Sequence, residues 1–483
     1  MPEPKRNYID EDWVDAEAGE TADVTNPADT SEVVNTYSYG GEPDGEAAIA
    51  AANEAADEWE ATPAPDRGAI LRKTGGILED RKDELTELLV SEEGKTRAEA
   101  GGEVQRAIEI FYYYAEKAMD FGGTVKGSSG GRRPITTRKE PLGVAGLITP
   151  WNYPIAIPAW KIAPALATGN TVVIKPAMQA PGPAHELARA LDDAGLPDGV
   201  LNLVVGSGSE VGSLLTSHED VDAVSFTGSA EVGHIVYDAA TDGTKRAQAE
   251  MGGKNPTLVT DSADVDEAVD IIGAGAFGVT GQACTATSRA IVHTDVYDEF
   301  VEGIVEYAES IEIGPGLESP DMGPHVSQDE LESTLNYVDV AANEGATHET
   351  GGERLDDGEL SDGYFVSPAV FSDVDTDMRI FQEEVFGPVL AVTEVEDFEE
   401  GLAAANNTKF GLSASVVTDD LAEANEFVDR SETGVVKVNE KTTGLELHVP
   451  FGGMKRSSTN TFREQGDAAI DFYTQTKTVY MND

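Results

Sequence analysis

Short apolar strands alternate with helices from residue 143 onward. The predicted strands cover 143–149, 171–174, 200–205 and 221–226, and the predicted helices between and after them cover 156–167, 183–194 and 232–240. Apolar runs of this length separated by helices are typical of parallel βαβ units. A second α/β series begins near Pro256, with strand candidates over 257–259, 389–392, 412–417 and 434–438. The sequence therefore predicts an α/β fold.

The segment before residue 143 is predicted to be mainly helical. Helices are predicted over 44–60, 65–93 and about 97–120, and the glycine-rich stretch 122–133 is predicted as a turn or an excursion. A chain of 483 residues is too long for a single hydrophobic core, so we expect two or three domains.

Acidic residues dominate the charge, with 90 Asp and Glu against 33 Lys and Arg and a net charge of −57. The acids are scattered, which is typical of a solvated surface. Nucleic acid is not expected as a partner because phosphate binding needs clustered Lys and Arg. Such a surface repels itself and anionic ligands, and about 1 M salt shortens the screening length to about 3 Å. These charges indicate a cytoplasm with molar salt.

Other features agree with a cytoplasmic protein. No stretch approaches the roughly 18 uninterrupted apolar residues that span a bilayer, and the first residues contain no apolar core of a secretory signal. The single cysteine, Cys284, cannot form an intrachain disulfide or supply a cysteine-rich metal site. We predict no membrane segment and no metal centre.

Cys284 lies among small residues in the segment Gly281–Arg289. A lone cysteine is more often a buried small hydrophobe than a nucleophile. Other residues of the chain favour a catalytic role for Cys284. Glu250 precedes a glycine pair, Asn152 lies in a loop after a strand, and Glu384 lies in a Glu-Glu-Val-Phe-Gly-Pro run. A thiol, a carboxylate and an amide donor are the components of covalent thioester chemistry.

Two strand ends are candidates for phosphate or ribose contacts. The strand over 221–226 runs into Thr227–Gly233, where Gly228 and Gly233 flank a predicted helix start. A turn of this kind lets backbone amides approach a diphosphate, although its spacing differs from the common dinucleotide fingerprint. Lys175 ends another apolar strand and is either a solvated cap or a ligand for ribose or phosphate.

Seven motifs occur in one order along the chain: TPWNYP at 149–154, PALATGNTVVIKPA at 164–177, FTGS at 226–229, EMGGKNP at 250–256, GQACTATSR at 281–289, EEVFGPV at 383–389 and PFGGMK at 450–455. With them the chain resembles the aldehyde dehydrogenase superfamily. Within that superfamily, the chain is similar to the 2,5-dioxopentanoate (α-ketoglutarate semialdehyde) dehydrogenases of sugar-acid oxidation. This similarity rests on GQACTATSR, on FGLSAS at 410–415, and on MKRSS at 454–458 followed by REQG at 463–466.

The resemblance implies a role for each catalytic candidate. Cys284 attacks the aldehyde carbon, and the Asn152 side chain and the Cys284 backbone amide hold the oxyanion. Glu250 is the general base for the water that hydrolyses the thioester. Because relatives that pass the acyl group to coenzyme A generally lack this base, Glu250 implies release of a free acid.

The resemblance also implies NAD or NADP as cofactor. The implied cofactor-binding residues are Thr149, Pro150, Trp151, Lys175, Met178, Gly228, Ser229, Gly233, Glu384 and Phe386. Many NAD-preferring relatives carry a glutamate three residues after the lysine, where this chain has Met178. Loss of that carboxylate removes repulsion toward a 2′-phosphate, so we expect NADP to be preferred.

The implied architecture has three parts and forms homodimers or homotetramers. A Rossmann-like dinucleotide-binding domain covers 1–118 and 142–250, a catalytic α/β domain covers 251–452, and a small β oligomerisation element covers 119–141 and 453–483. A dioxopentanoate substrate needs a cation for its carboxylate, and Arg289, Arg456 and Arg106 are the candidates. The loop 440–448 is expected to shape the substrate mouth.

Three alternatives stay open at this point. The same chemistry could serve succinate semialdehyde or glyceraldehyde. Cys284 could instead support a cofactor-independent thiol esterase, although the intact cofactor motifs argue against that as the main activity. A non-catalytic structural protein is disfavoured because Cys284, Glu250 and Asn152 occur together.

Overall fold

Residues 3–481 are described by the computed structural model, which builds them into two large sheets, three small ones and the helices packed around them. In chain order the strands are β1 (Asn7–Ile9), β2 (Asp12–Val14), β3 (Thr21–Asn26), β4 (Asp29–Ser38), β5 (Val125–Ser128), β6 (Gly131–Pro141), β7 (Val144–Ile148), β8 (Thr171–Lys175), β9 (Leu201–Leu203), β10 (Ala223–Thr227), β11 (Arg246–Glu250), β12 (Asn255–Val259), β13 (Thr287–His293), β14 (Thr347–Thr350), β15 (Ala369–Ser372), β16 (Val389–Val395), β17 (Phe410–Gly411), β18 (Ser413–Val417), β19 (Val435–Val438), β20 (Met454–Lys455) and β21 (Thr474–Tyr480).

The α-helices of this range are α1 (Glu42–Ala61), α2 (Ala64–Asp80), α3 (Lys82–Glu93), α4 (Arg97–Lys117), α5 (Ala156–Thr168), α6 (Gly182–Ala194), α7 (Ser213–Ser217), α8 (Ala230–Asp242), α9 (Val265–Phe277), α10 (Tyr297–Ser310), α11 (Gln328–Glu344), α12 (Arg379–Gln382), α13 (Phe398–Asn406), α14 (Leu421–Arg430) and α15 (Gly466–Phe472). None of the helices in the described range is long and apolar enough to cross a membrane.

The first large sheet has the strand order β11-β10-β7-β8-β9-β1-β2. The strands from β11 to β9 are parallel, and β1 and β2 extend the edge in antiparallel fashion. Every residue of β7, β8 and β10 is buried. A parallel sheet with helices on both faces buries both sides of each strand, which explains why these strands are continuous apolar runs.

The second large sheet has the order β14-β15-β16-β13-β12-β18-β19, and only the edge strand β14 is antiparallel. The prediction of an α/β fold is confirmed by both sheets. All of the second series' predicted strand segments lie within or overlap strands of this sheet.

A separate three-stranded antiparallel sheet, β21-β6-β5, joins the end of the described chain to residues 125–141. The stretch 122–133, predicted as a turn or excursion, thus contains β5 and the start of a long strand. The predicted element 453–483 belongs to this sheet only in part: β20 pairs with β17, and α15 packs its buried Ile470 and Phe472 into the core of the first sheet. The proposed domain boundaries themselves stay a prediction.

The helical segment predicted as one helix over 65–93 is two helices. At Arg81 the backbone leaves the helical region (φ −106°, ψ 15°), and its guanidinium donates to Glu84 and Glu186 at 2.6 Å each. The next helix, α4, begins with a capping box that is readable in the sequence. Thr96 Oγ1 accepts the amide of Glu99, and the Glu99 carboxylate accepts the amide of Thr96.

Candidate active site

A cavity of about 600 Å³ is lined by residues from the ends of both large sheets, from α4 and from the loop before β20. Many residues predicted from the sequence line it: Arg106, Pro150, Trp151, Asn152, Gly228, Ser229, Glu250, Cys284, Glu384 and Phe386. The structure therefore brings the thiol, the carboxylate and the amide into one site, although Asn152 precedes Glu250 by 98 residues and Cys284 by 132 residues in the sequence.

Cys284 follows a strained turn that leads from α9 to β13. Val279, Thr280 and Gly281 all have positive φ angles, of 54°, 56° and 66°. A side chain at position 281 would place its Cβ 2.2 Å from the Gly387 carbonyl oxygen, so this glycine is required by close approach as well as by conformation. Such backbone strain persists only where surrounding contacts hold it, and it is concentrated at functional sites.

The Cys284 thiol is half-buried at the cavity wall. Burial first, and then the nearby carboxylates Glu384 and Glu250, raise the pKa of Cys284 to about 12. In this arrangement the thiol is protonated at neutral pH, and only the thiolate is a strong nucleophile. Attack on an electrophile therefore requires a proton acceptor in the cavity or a change in the local electrostatics.

Asn152 leaves β7 and projects its amide toward the cysteine loop. The side chain is 4% exposed, and its Nδ2 donates to the backbone carbonyl of Gln282 at 3.0 Å. An amide nitrogen carries two hydrogens, so this bond occupies one and leaves one for a further acceptor. Gln282 is two residues before Cys284, which makes the amide a suitable oxyanion donor beside the thiol.

Glu250 ends β11 and is 1% exposed. Its Oε2 accepts the amide of Gly453, and its Oε1 accepts the Ser458 hydroxyl, both at 2.9 Å. Burial, followed by the charge of Glu464, raises the pKa of Glu250 well above its usual range. Glu464 in turn binds Lys161 in the protein interior. A carboxyl with a raised pKa can accept a proton near neutral pH, as a general base must.

The carboxyl ends of β7, β8 and β10 carry groups suited to a polar ligand. The hydroxyls of Thr149 and Thr227 are buried and find no hydrogen-bond partner among the described residues. Ser229 caps α8 by accepting the Val232 amide at 3.4 Å, and the first amides of this helix are available to an anion. Thr227 was not recognised from the sequence, where it was only the first residue of a glycine turn.

Lys175, at the end of β8, is 6% exposed and donates to the Pro176 carbonyl at 2.9 Å. Burial lowers the pKa of Lys175 to about 8. Glu384 lines the cavity; its Oε1 accepts the Gly253 amide at 2.9 Å, and burial raises the pKa of this carboxyl to about 7. Trp151 and Phe386 meet edge to face, with ring centroids 5.4 Å apart.

Four predicted cofactor residues are not among the residues that line this cavity: Thr149, Lys175, Met178 and Gly233. Met178 is partly buried against the core of the first sheet. Gly233 lies in α8, where an added Cβ would come within 2.5 Å of Met251 Sδ. Close packing of α8 against Met251 therefore accounts for the glycine at position 233, and its contact with the cofactor stays a prediction.

The three arginine candidates have different surroundings. Arg289 is fully buried, and its guanidinium donates to the carbonyls of Lys254, Ala404 and Ala405. Its prediction as a substrate cation is wrong, because the whole guanidinium is used inside the protein. Arg456 is exposed outside the cavity.

Arg106 is the arginine that lines the cavity, and it donates to the Leu445 carbonyl in the loop 440–448. Lys441, Thr443, Gly444 and Leu445 of that loop also line the cavity, and the role of the loop as the substrate mouth stays a prediction.

Among the described residues, one group could hold a metal ion: Asp261, His293 and Asp295 have ligand atoms within 4.8 Å of one another. None of the three lines the cavity. His293 Nδ1 accepts the Asp295 amide at 3.1 Å, which places the proton of the neutral ring on Nε2 and opposes metal binding there.

Comparisons with known proteins identify the family of the chain. The model of the aldehyde dehydrogenase family matches residues 13–479. The chain is 63% identical over 480 residues to an α-ketoglutarate semialdehyde dehydrogenase of Haloferax volcanii, covering 99% of each chain. It is 45% identical to an α-ketoglutaric semialdehyde dehydrogenase of Bacillus subtilis, covering 98% of this chain and 97% of the other.

A solved structure shows the same fold. Betaine aldehyde dehydrogenase of Staphylococcus aureus, in complex with NAD+, superposes with a TM-score of 0.96 at 36% identity, covering 99% of this chain and 94% of the other. The resemblance drawn from the seven sequence motifs is confirmed. The chain belongs to the aldehyde dehydrogenase family, and it is an oxidoreductase that acts on aldehydes.

Proposed function

We propose that this enzyme oxidises 2,5-dioxopentanoate to 2-oxoglutarate in the degradation of pentose sugar acids. The observation that carries the substrate is the full-length similarity to α-ketoglutarate semialdehyde dehydrogenases, at 63% and 45% identity. The cavity supports it, since its lining residues include Arg106 and Lys441, two cations that can bind the substrate's carboxylate. Succinate semialdehyde and glyceraldehyde are less well supported, because these relatives are not named for them.

The reaction begins with Cys284. Its sulfur forms a bond to the aldehyde carbon while the thiol proton passes to a base in the cavity. The carbonyl oxygen becomes an oxyanion that accepts hydrogen bonds from Asn152 Nδ2 and from the Cys284 amide. Loss of one such donor typically costs about 10²–10³ in rate. Asn152 is held for this task by its bond to the Gln282 carbonyl.

A nicotinamide cofactor, when bound, supplies the hydride acceptor. The residues present fit a dinucleotide: unpartnered hydroxyls of Thr149 and Thr227, the helix start at Ser229, and Glu384 for a ribose. Loss of hydride from the former aldehyde carbon to that acceptor would leave a thioester on Cys284. Glu250 would then take a proton from water as the water attacks the thioester carbon. The C–S bond breaks, the thiol of Cys284 is restored, and a free carboxylic acid leaves.

We propose that NADP is preferred over NAD. Met178 follows Lys175, the last residue of β8, by three positions; both lie outside the cavity, and Met178 carries a thioether that does not repel a 2′-phosphate. Replacing Met178 by glutamate is expected to lower kcat/KM for NADP by at least about tenfold and to leave NAD usable, because two like charges a few ångströms apart near a protein surface repel by on the order of a few kcal/mol. Initial rates with both cofactors measure this, and Met178→Gln serves as the uncharged control. A wild-type enzyme that favours NAD more than tenfold contradicts the proposal.

Arg106 is proposed to bind the distal carboxylate of the substrate. Wild-type kcat/KM is expected to be highest for 2,5-dioxopentanoate among that aldehyde, succinate semialdehyde, glyceraldehyde and a simple alkanal. Arg106→Leu should lower the value for dioxopentanoate by about 10–100-fold and leave the alkanal unchanged, since a hydrogen bond to a charged group contributes about 1.5–3 kcal/mol.

The matched control is Arg456→Leu, which removes an exposed arginine outside the cavity. This control is expected to leave kcat/KM unchanged for both dioxopentanoate and the alkanal. An equal loss for the alkanal in Arg106→Leu would show that the arginine supports the loop 440–448 instead of the carboxylate. Equal wild-type rates for all four aldehydes would leave the chemistry in place and remove the substrate assignment.

We also propose a homodimer or homotetramer in a cytoplasm rich in salt. The assembly is supported by the three-stranded sheet, whose Val125 and Tyr480 are each 74% exposed. The compartment is supported by the free thiol of Cys284 and by the net charge of −57, which molar salt screens.

A further inference from the structure

A buried ion pair lies directly behind the proposed oxyanion donor. Lys95, in the turn between α3 and α4, is 1% exposed. Its Nζ donates to the backbone carbonyl of Asn152 at 2.8 Å and to Glu103 Oε2 at 2.6 Å, and it lies 4.4 Å from the centroid of the Tyr153 ring. Burial alone would lower the pKa of Lys95, but Glu103 and Glu93 more than offset this effect and raise it.

Glu103 extends the same contact to the following helix. Its second oxygen, Oε1, accepts the amides of Ile155 and Ala156 at 2.9 and 3.1 Å. These amides belong to the start of α5, where backbone donors have no partner within the helix. Lys95 and Glu103 together therefore hold both ends of the segment from Asn152 to Ala156.

The side chain of Asn152 is held from the other direction. Its Nδ2 donates to the Gln282 carbonyl, so the residue is fixed at its backbone by Lys95 and at its amide by the cysteine loop. An oxyanion donor is effective only when it is already oriented toward the position where charge develops. A shift of about 1 Å in such a group can cost about 10²-fold in rate.

We propose that Lys95 is a positioning residue that, paired with Glu103, holds the Asn152 carbonyl and thereby aims the Asn152 amide at the oxyanion. The inference rests on the proposed role of Asn152. Lys95 and Glu103 also line the cavity, but the role proposed for them is to hold Asn152 and involves no contact with substrate or cofactor.

A double-mutant cycle tests this proposal. Removing Lys95 alone would leave the Glu103 carboxylate buried and unpaired, which can prevent folding. The working variant is therefore Lys95→Met with Glu103→Gln, which removes both charges and keeps an acceptor for Ile155 and Ala156. It is combined with Asn152→Ala in the full-length enzyme. Thermal unfolding is followed in parallel, and Lys5→Met, which breaks a partly buried ion pair with Glu186, is the control.

In the otherwise native enzyme, the paired variant is expected to lower kcat by roughly 10–100-fold and to leave the cofactor KM unchanged. In the Asn152→Ala background the same variant should lower kcat by less than about threefold, because the group it positions is already absent. Lys5→Met should not change kcat.

Two results would overturn the inference separately from the proposed function. Full activity of the paired variant, or the same fold-loss in both backgrounds, would show that Lys95 does not act through Asn152. A normal rate for Asn152→Ala alone would instead remove the oxyanion role of Asn152, and the positioning role of Lys95 with it.

Discussion

Replacing Cys284 by alanine is expected to abolish aldehyde oxidation, with a loss of roughly 10⁴-fold or more in kcat, as when other enzymes lose their nucleophile. The thiol lies at the wall of the cavity that also contains Asn152 and Glu250. It is the single cysteine of the chain, so no neighbouring thiol can replace it. Production of reduced cofactor and hydrolysis of an activated ester should both disappear, since each needs the same sulfur.

The fold should survive this change. Cys284 is half-buried, and alanine removes one sulfur atom beside an open cavity, so little packing is lost. Cofactor binding can be followed by the fluorescence of Trp151 and Trp160, which both line the cavity, and it should be retained. Remaining oxidation above about 1% of the wild-type rate in Cys284→Ala would contradict covalent catalysis by this residue.

The second large effect is expected for Glu250→Gln. The enzyme should release about one reduced cofactor per subunit and then nearly stop, with steady-state kcat lowered by about 10²–10⁴-fold. Glutamine fits the same place, because its carbonyl oxygen can accept the Gly453 amide or the Ser458 hydroxyl. It cannot take a proton from water, so the thioester persists. Stopped-flow absorbance of the reduced cofactor separates the first turnover from the later ones.

The pH dependence gives an independent readout of Glu250. Burial and Glu464 raise the pKa of this carboxyl, so it is protonated at a higher pH than an exposed glutamate. A protonated carboxyl cannot act as a base, so wild-type kcat should fall as the pH is lowered through this raised pKa. In Glu250→Gln, kcat should not show this fall as the pH is lowered.

Hydroxylamine, a nucleophile that needs no base, should restore turnover in Glu250→Gln by cleaving the thioester. If Glu250→Gln gave no burst of reduced cofactor, or if hydroxylamine did not restore its turnover, Glu250 would act in a step before the thioester forms.

Much of the fold was readable from local patterns. The buried strands β7, β8 and β10 are apolar runs because a parallel sheet covered by helices buries both of their faces. The helix predicted from about residue 97 corresponds to α4, whose first turn is stabilised by the capping box of Thr96 and Glu99. The break at Arg81 was not predicted from the sequence; in the structure Arg81 donates to Glu186, more than a hundred residues away, and local patterns do not report such a contact.

The sequence by itself determined the family and the α/β class, and it singled out Cys284, Glu250 and Asn152 as catalytic candidates, because motifs and periodicity record short-range requirements of the backbone and of the chemistry. Tertiary structure alone decided which arginine faces the cavity: Arg289 donates to buried carbonyls, whereas Arg106 lies at the mouth. It also decided the partners of Glu250, which lie 203 and 208 residues further along the chain, and the placement of Lys95 behind Asn152. These contacts join segments that are brought together only when the two sheets and α4 pack against one another. Burial in that packing then determines which protonation state each charged side chain favours and where it can point.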